Sequence, residues 1–310
     1  MSGAGSVDTR VDLGGIALQN PVLTASGTFG YGTEFEPFLD LREIGGFVAK
    51  SLTLQPRSGN PPPRIAEAPS GLLNAISLEN VGVDAFLTEK LPAIPEGVPV
   101  IASIFETEIE GYAEVAKRLS GADRVAGLEV NASCPHVKSG GIEFGQDPAV
   151  LAQLVRAVRR ATDKPLLVKL SPNVTDIALM ARVCEGEGAD GLSLINAVQG
   201  LEIDAESRRP VLSNVLGGLS GPAIRPIALR MVWQASQAVS LPICGIGGIA
   251  SAEDAVKFLL CGATAVQVGT ANYLNPAASA DVAAGLRDYL ARHGFPRVSD
   301  LVGALEIPER

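Results

Sequence analysis

Cys134 sits in VNASCPHVKSGG, the stretch from Val130 to Gly141, between Asn131 and His136. A thiol in a partly dry pocket can serve as nucleophile, ligand or proton acceptor. A lone cysteine is more often buried and inert, but the flanks set this one apart. Asn131 can anchor a polar ligand, and Ser139-Gly140-Gly141 gives the loop freedom to move. No Ser-His-Asp or Cys-His-Asn spacing accompanies the thiol, and the only other histidine is His293, so protease-type chemistry is disfavoured. Cys184 and Cys261 fall on helical patterns and Cys244 within a strand, and all three read as packing. No C-x-x-C pair occurs, so neither a metal nor an iron–sulfur cluster is expected within the chain.

Three further sets of residues carry chemistry. Lys50 in VAKSLT and Lys169 in VKLSPNVTD each end an apolar run. A lysine there is costly without a partner or a ligand. One such lysine can stabilise negative charge on a reduced flavin, and a second can bind a carboxylate. Gly247-Gly248 in LPICGIGGI and Gly269-Thr270 in AVQVGTA are paired turns that let backbone N–H groups approach a phosphate. Taken singly, each is equally well a tight turn that needs positive φ. Asn74, Asn131 and Asn196 offer amide donors and acceptors suited to a flat polar ring such as a pyrimidine, although turn formation alone would explain Asn74.

The elements that must position these groups are legible from hydrophobic patterning. Short Val/Ile/Leu-rich runs recur at Pro21–Ser26, Phe47–Leu52, Pro99–Ile104, Gly127–Ala132, Pro165–Leu170, Gly191–Asn196, Pro242–Gly247 and Ala265–Gly269. Amphipathic segments separate them; in Pro148–Ala161 the residues Val150, Leu151, Leu154, Val155 and Val158 share one face. Strands buried on both sides and alternating with helices indicate a parallel sheet, and eight such units favour an α/β (β/α)8 TIM barrel over an open sheet. The chemistry-bearing residues then lie at the strand ends, on the rim where barrels build their sites. The uncharged stretches Met231–Ala252 and Phe258–Ala280 read as barrel interior. Two long insertions, Thr53–Asn80 and Val198–Gly221, are placed over that rim, the first covering the mouth and the second capping it or forming an interface. No linker or low-complexity tract divides the chain, so residues 1–310 are expected to form one domain.

Composition narrows the partners. The formal net charge is −9, which disfavours nucleic acid and leaves any phosphate-binding groups local. MSGAGSVDTRVDLGG has no apolar leader, and neither uncharged stretch is uniform enough to span a membrane, so a reducing, cytoplasmic location is expected. The glycine pattern is not G-x-G-x-x-G, so no nicotinamide fingerprint is present.

In combination, NASCPHVKSGG, KLSPNVTD, GGLSGPAIRPIALR and VQVGTANYLNP resemble the class 1 dihydroorotate dehydrogenases, in particular the subclass B catalytic subunit. SGTFGYG, NPPPRIAEAPSGLLNAISLEN and FGQDP fit the same likeness, which runs from about Val11 to Gly303. The resemblance implies an FMN-binding barrel that oxidises dihydroorotate to orotate in pyrimidine biosynthesis. It makes Cys134 the general base, taking the C5 proton while the C6 hydride moves to flavin N5. It assigns Ser26, Lys50, Ser51, Asn131, Lys169, Ile195, Gly221, Gly247, Gly248, Gly269 and Thr270 to FMN. It assigns Lys50, Asn74, Ala75, Ile76, Ser77, Leu78, Asn131, Asn196 and Ala197 to the substrate.

The chain departs from the family pattern at His136 (often Asn), Ala197 (usually Thr or Ser), Ser77 (commonly Gly) and Ser103 (commonly Asn). Reduced flavin must pass its electrons on, yet the chain has no cysteine cluster and no dinucleotide fingerprint, so the acceptor is expected in trans. The resemblance makes it a second subunit carrying FAD and an iron–sulfur cluster and using NAD, around a homodimeric core within a heterotetramer. Two other readings are a dihydropyrimidine dehydrogenase-like flavin barrel and a phosphate-binding barrel without flavin.

Overall fold

The computed structural model describes residues 7–133 and 144–308. Eight parallel strands close into a barrel in sequence order. They are β1 (Val22–Thr24), β2 (Gly46–Val48), β3 (Val100–Ile104), β4 (Val125–Asn131), β5 (Leu166–Lys169), β6 (Gly191–Leu194), β7 (Ile243–Ile246) and β8 (Ala265–Val268). Each lies within or beside a run expected from the sequence. The runs reach a few residues past the ladder because the chain stays buried there while turning onto the rim. Ala25, Ala132 and Leu170, for example, are buried just beyond β1, β4 and β5.

The outer helices follow local capping signals. Asp147 accepts from the N–H groups of Ala149 and Val150 and opens Pro148–Ala161, with Pro at the first position. Its Leu151, Leu154, Val155 and Val158 face the core, with Val150 packed at the edge. Asp176 and Ser251 cap Ile177–Gly186 and Ala252–Leu260 in the same way. Gly294, at φ 73°, ends Ala278–His293 in the left-handed conformation. Met231–Ser236 belongs to the outer helix Arg225–Ser236, so the uncharged stretch that begins there is not all barrel interior. The first strand is followed only by short turns of helix, and after the second strand residues 82–93 are helical but irregular, changing winding between Gly82–Ala85, Phe86–Lys90 and Leu91–Ala93.

Period-two alternation explains the barrel interior. Leu23, Val48, Ile101, Leu167, Cys244 and Ala265 form an apolar layer, closed at one end by Leu13, Ile16 and Leu18 of an antiparallel N-terminal hairpin. Two residues further along four of the strands, on the same faces, come Ser103, Glu129, Lys169 and Gln267, all buried. A polar layer therefore rests on an apolar plug.

The two insertions meet. Val198–Leu201, Leu216–Ser220, Gly71–Asn74 and Ile65–Ala68 form one four-stranded antiparallel sheet in that order. Gly218 pairs with Asn74, and Leu219 with Leu73. Leu73, Ala75 and Leu212 make its small core. No helix among the described residues is long and apolar enough to cross a membrane.

Candidate active site

A cavity of about 530 Å3 lies between the barrel rim and the antiparallel cap. That volume is within the roughly 300–1,000 Å3 of small-molecule and cofactor sites. All eight strand ends contribute to its lining.

On one side three turns converge. Gly247 and Gly248 have φ of 130° and 71°, and Gly221 has 90°. A Cβ on Gly248 would stand 2.7 Å from the Gly221 carbonyl oxygen, and one on Gly247 2.7 Å from Ala228 Cβ. Only glycine fits that crossing, so the backbone comes to the cavity surface undraped by side chains. Gly269 and Thr270 complete this wall, and Thr270 Oγ1 shares a 2.8 Å hydrogen bond with Ser220 Oγ of the cap.

The floor is polar. Lys169 Nζ donates to Ser26 Oγ at 3.1 Å, and Ser26 and Lys169 both line the cavity. The Lys169 side chain is only 6% exposed, and its Nζ lies 3.6 Å from Glu129 Oε1. Ile195 adds an apolar surface at the end of β6.

The amides form a second polar group in the lining. Asn196 Nδ2 donates to Asn131 Oδ1 at 3.1 Å, and Asn131 Nδ2 reaches Ser51 Oγ at 3.4 Å. Ser51 Oγ lies 2.8 Å from Ser103 Oγ. Asn74 Nδ2 donates to the Gly218 carbonyl at 3.3 Å, which fixes it within the cap sheet. Ala75, Ile76, Ser77, Leu78 and Ala197 line the cavity as well. Ser77 adopts φ 66°, in the left-handed region that favours glycine.

Lys50 lines the cavity too, with the Ser77 carbonyl at 3.5 Å as its acceptor. Among the described residues no carboxylate forms an ion pair with it. Burial pushes its pKa below the ordinary lysine value, with Glu79 partly opposing the shift. A half-buried cation with no ion-paired carboxylate suits an anionic ligand.

The structure thus brings every site residue expected from the sequence to one cavity, apart from Cys134. Cys134 lies outside the described residues, as do His136 and Ser139-Gly140-Gly141. Ser133, the last described residue before it, lines the same cavity. Cys184 and Cys244 are fully buried, and burial pushes both thiols far up in pKa, which suits packing.

The family model for dihydroorotate dehydrogenase matches residues 9–290. The chain belongs to the dihydroorotate dehydrogenase family. Three of its relatives carry the name dihydroorotate dehydrogenase B (NAD(+)), catalytic subunit. The protein of Pelobacter propionicus is 60% identical over 300 residues, covering 96% of this chain and 99% of the relative. Those of Geotalea daltonii and Trichlorobacter lovleyi are 58% and 59% identical, covering 97% and 96% of this chain and 99% and 98% of the relatives.

Within this dihydroorotate dehydrogenase fold, several lining or supporting residues escaped sequence reasoning. Glu129 and Gln267 lie in the polar layer, where Gln267 Nε2 donates to Glu129 Oε2 at 2.7 Å. The signal for Glu129 was available: like Lys169, it is a charge inside an apolar run, VAGLEVN. Tyr273, in the short helix Ala271–Leu274, and Ser220 and Gln199, in cap strands, line the cavity and carry no distinctive local pattern. Glu106 anchors the first insertion, accepting from Leu54 N at 2.8 Å and from Arg57 Nη2 at 3.2 Å.

Proposed function

We propose that the chain oxidises dihydroorotate to orotate with FMN held in the cavity, and that it passes the electrons to a partner subunit carrying FAD and an iron–sulfur cluster, with NAD as final acceptor. The observation that carries this reading is the convergence of the glycine turns, Lys169, Lys50 and the three asparagines on one cavity. The relatives' printed names support the substrate, the NAD linkage and the existence of a partner. The residues fit the cofactor. The Gly221, Gly247 and Gly248 crossing suits a phosphate, which a Cβ would exclude. Buried Lys169 suits the electron-rich end of a flavin ring.

Bound FMN supplies the two-electron acceptor. The chain's own residues do the rest. Ser26, Ser51, Asn131, Ile195, Gly269 and Thr270 hold and orient the cofactor, with Lys169 supplying positive charge. Lys50 pairs with the substrate carboxylate, which restores the counter-ion it lacks. Asn74, Asn131 and Asn196 bind the polar edges of the pyrimidine ring, and the Ala75–Leu78 segment with Ala197 shapes the wall against it. Cys134 Sγ takes the proton from substrate C5. Lys50 favours a carboxylate-bearing substrate over uracil or thymine, which have none.

The test is spectroscopic. The purified chain is expected to be yellow and to bleach on anaerobic addition of dihydroorotate, but not of dihydrouracil. Colourless protein would overturn the flavin, and bleaching by dihydrouracil alone would overturn the substrate. The chain without its partner is expected to reduce artificial dyes but scarcely NAD; rapid NAD reduction by iron-free chain would overturn the partner.

A further inference from the structure

Glu129 is a buried charge that the proposed reaction leaves without a role. It lies in β4 with no exposed surface and is not among the residues lining the cavity. Its two oxygens are both engaged. Oε2 accepts from Gln267 Nε2 at 2.7 Å, and Oε1 accepts from Ser26 Oγ at 3.2 Å. Ser26 Oγ in turn accepts from Lys169 Nζ at 3.1 Å. Lys169 Nζ and Glu129 Oε1 also face each other directly at 3.6 Å. The donors run one way, from lysine through serine to carboxylate, so the single Ser26 proton orients the chain. Ser26 and Lys169 reach the cavity, and Glu129 stands behind them.

We infer that Glu129 is a positioning residue for the flavin site: it aims Lys169 by way of Ser26, and by balancing the lysine's charge it sets the reduction potential of the bound cofactor. The inference rests on the FMN reading above. Reduction adds negative charge to the flavin ring, so a nearby positive charge favours the reduced form and a negative charge opposes it. Inside the barrel neither effect is strongly screened. The Lys169–Glu129 pair is neutral as a unit. Removing either member leaves a net charge of known sign beneath the cofactor, whereas removing both restores neutrality.

This fixes an order of potentials that a purely structural role for the pair does not. Anaerobic spectroscopic titration of the flavin-loaded protein against reference dyes reads it. Glu129→Gln is expected to be easier to reduce than the wild type by about tenfold in the equilibrium, or about 30 mV for a two-electron couple. Lys169→Met is expected to be harder to reduce by a similar factor. The double variant is expected to fall between them, close to the wild type. If Glu129→Gln does not fold, the double variant carries the test, because it leaves no uncompensated buried charge; it must lie above Lys169→Met. An unshifted or lowered potential in Glu129→Gln, or a double variant no higher than Lys169→Met, overturns the inference. Protein without bound flavin in every form, the wild type included, instead overturns the FMN reading on which the inference rests.

Discussion

Asn196 Nδ2 donates to Asn131 Oδ1 at 3.1 Å, tying the end of β6 to the end of β4 across the end of β5. The same Oδ1 accepts from Ser133 N at 3.2 Å, so the Asn131 amide is held in one orientation. Asn131→Ala removes the acceptor that Asn196 Nδ2 uses, while Asn196 Oδ1 keeps its bond from Ala197 N. The expected loss in orotate affinity is about 1–3 kcal/mol, or roughly 5- to 150-fold in Kd. Equilibrium titration of the protein with orotate checks it, and an unchanged Kd would remove the amide pair from ligand binding.

Lys50 predicts a pH dependence with a definite sign. Burial lowers its pKa below the ordinary 10.5, and a bound carboxylate draws it back up. Orotate is therefore expected to bind best to the protonated lysine, with affinity falling as pH rises through the lowered pKa of the free protein. Near that pH, binding takes up protons. Lys50→Met is expected to bind orotate weakly and without this dependence. Titrations at several pH values, run in buffers of different ionisation heat, give both quantities. A Kd for the wild type that stays flat up to the ordinary lysine pKa would contradict the assignment.

Gly218 of the second insertion crosses Ala197, just beyond the end of β6. A Cβ on Gly218 would lie 2.6 Å from Ala197 Cβ, with its next neighbours at 3.9 Å. Gly218→Ala is expected to destabilise the cap by about 1–3 kcal/mol through overpacking. Adding Ala197→Gly should recover most of that loss, because the clash has a single source. Thermal or denaturant unfolding of the two single variants and the double measures the coupling, and additive effects would show that the sheet moves aside instead.

With Cys134 as the proposed general base and FMN as the proposed cofactor, Cys134→Ala is expected to retain the flavin and to bleach with dihydroorotate about 10²–10⁴-fold more slowly. Stopped-flow absorbance under anaerobic conditions measures the rate. A near-normal rate would transfer the proton to another group.

The barrel was legible because its signals are local. A strand buried on both faces must be apolar along its length, and eight such runs with helical periodicity between them leave few other arrangements. The same reasoning singled out Lys50, Lys169 and the glycine pairs, since a buried charge or a crowded backbone turn restricts residue type at that position alone. It did not find Glu129 as Lys169's counterpart, although both are charges in apolar runs. Nor did it foresee the joining of Gly71–Asn74 to Leu216–Ser220, in which Asn74 bonds Gly218 at a separation of 144 residues. By itself the sequence determined which residue types must leave water and which turns must be glycine. Only the tertiary structure decided which buried charge faces which and which two loops share a sheet, because pairing energies depend on distances that chain-order neighbours do not encode.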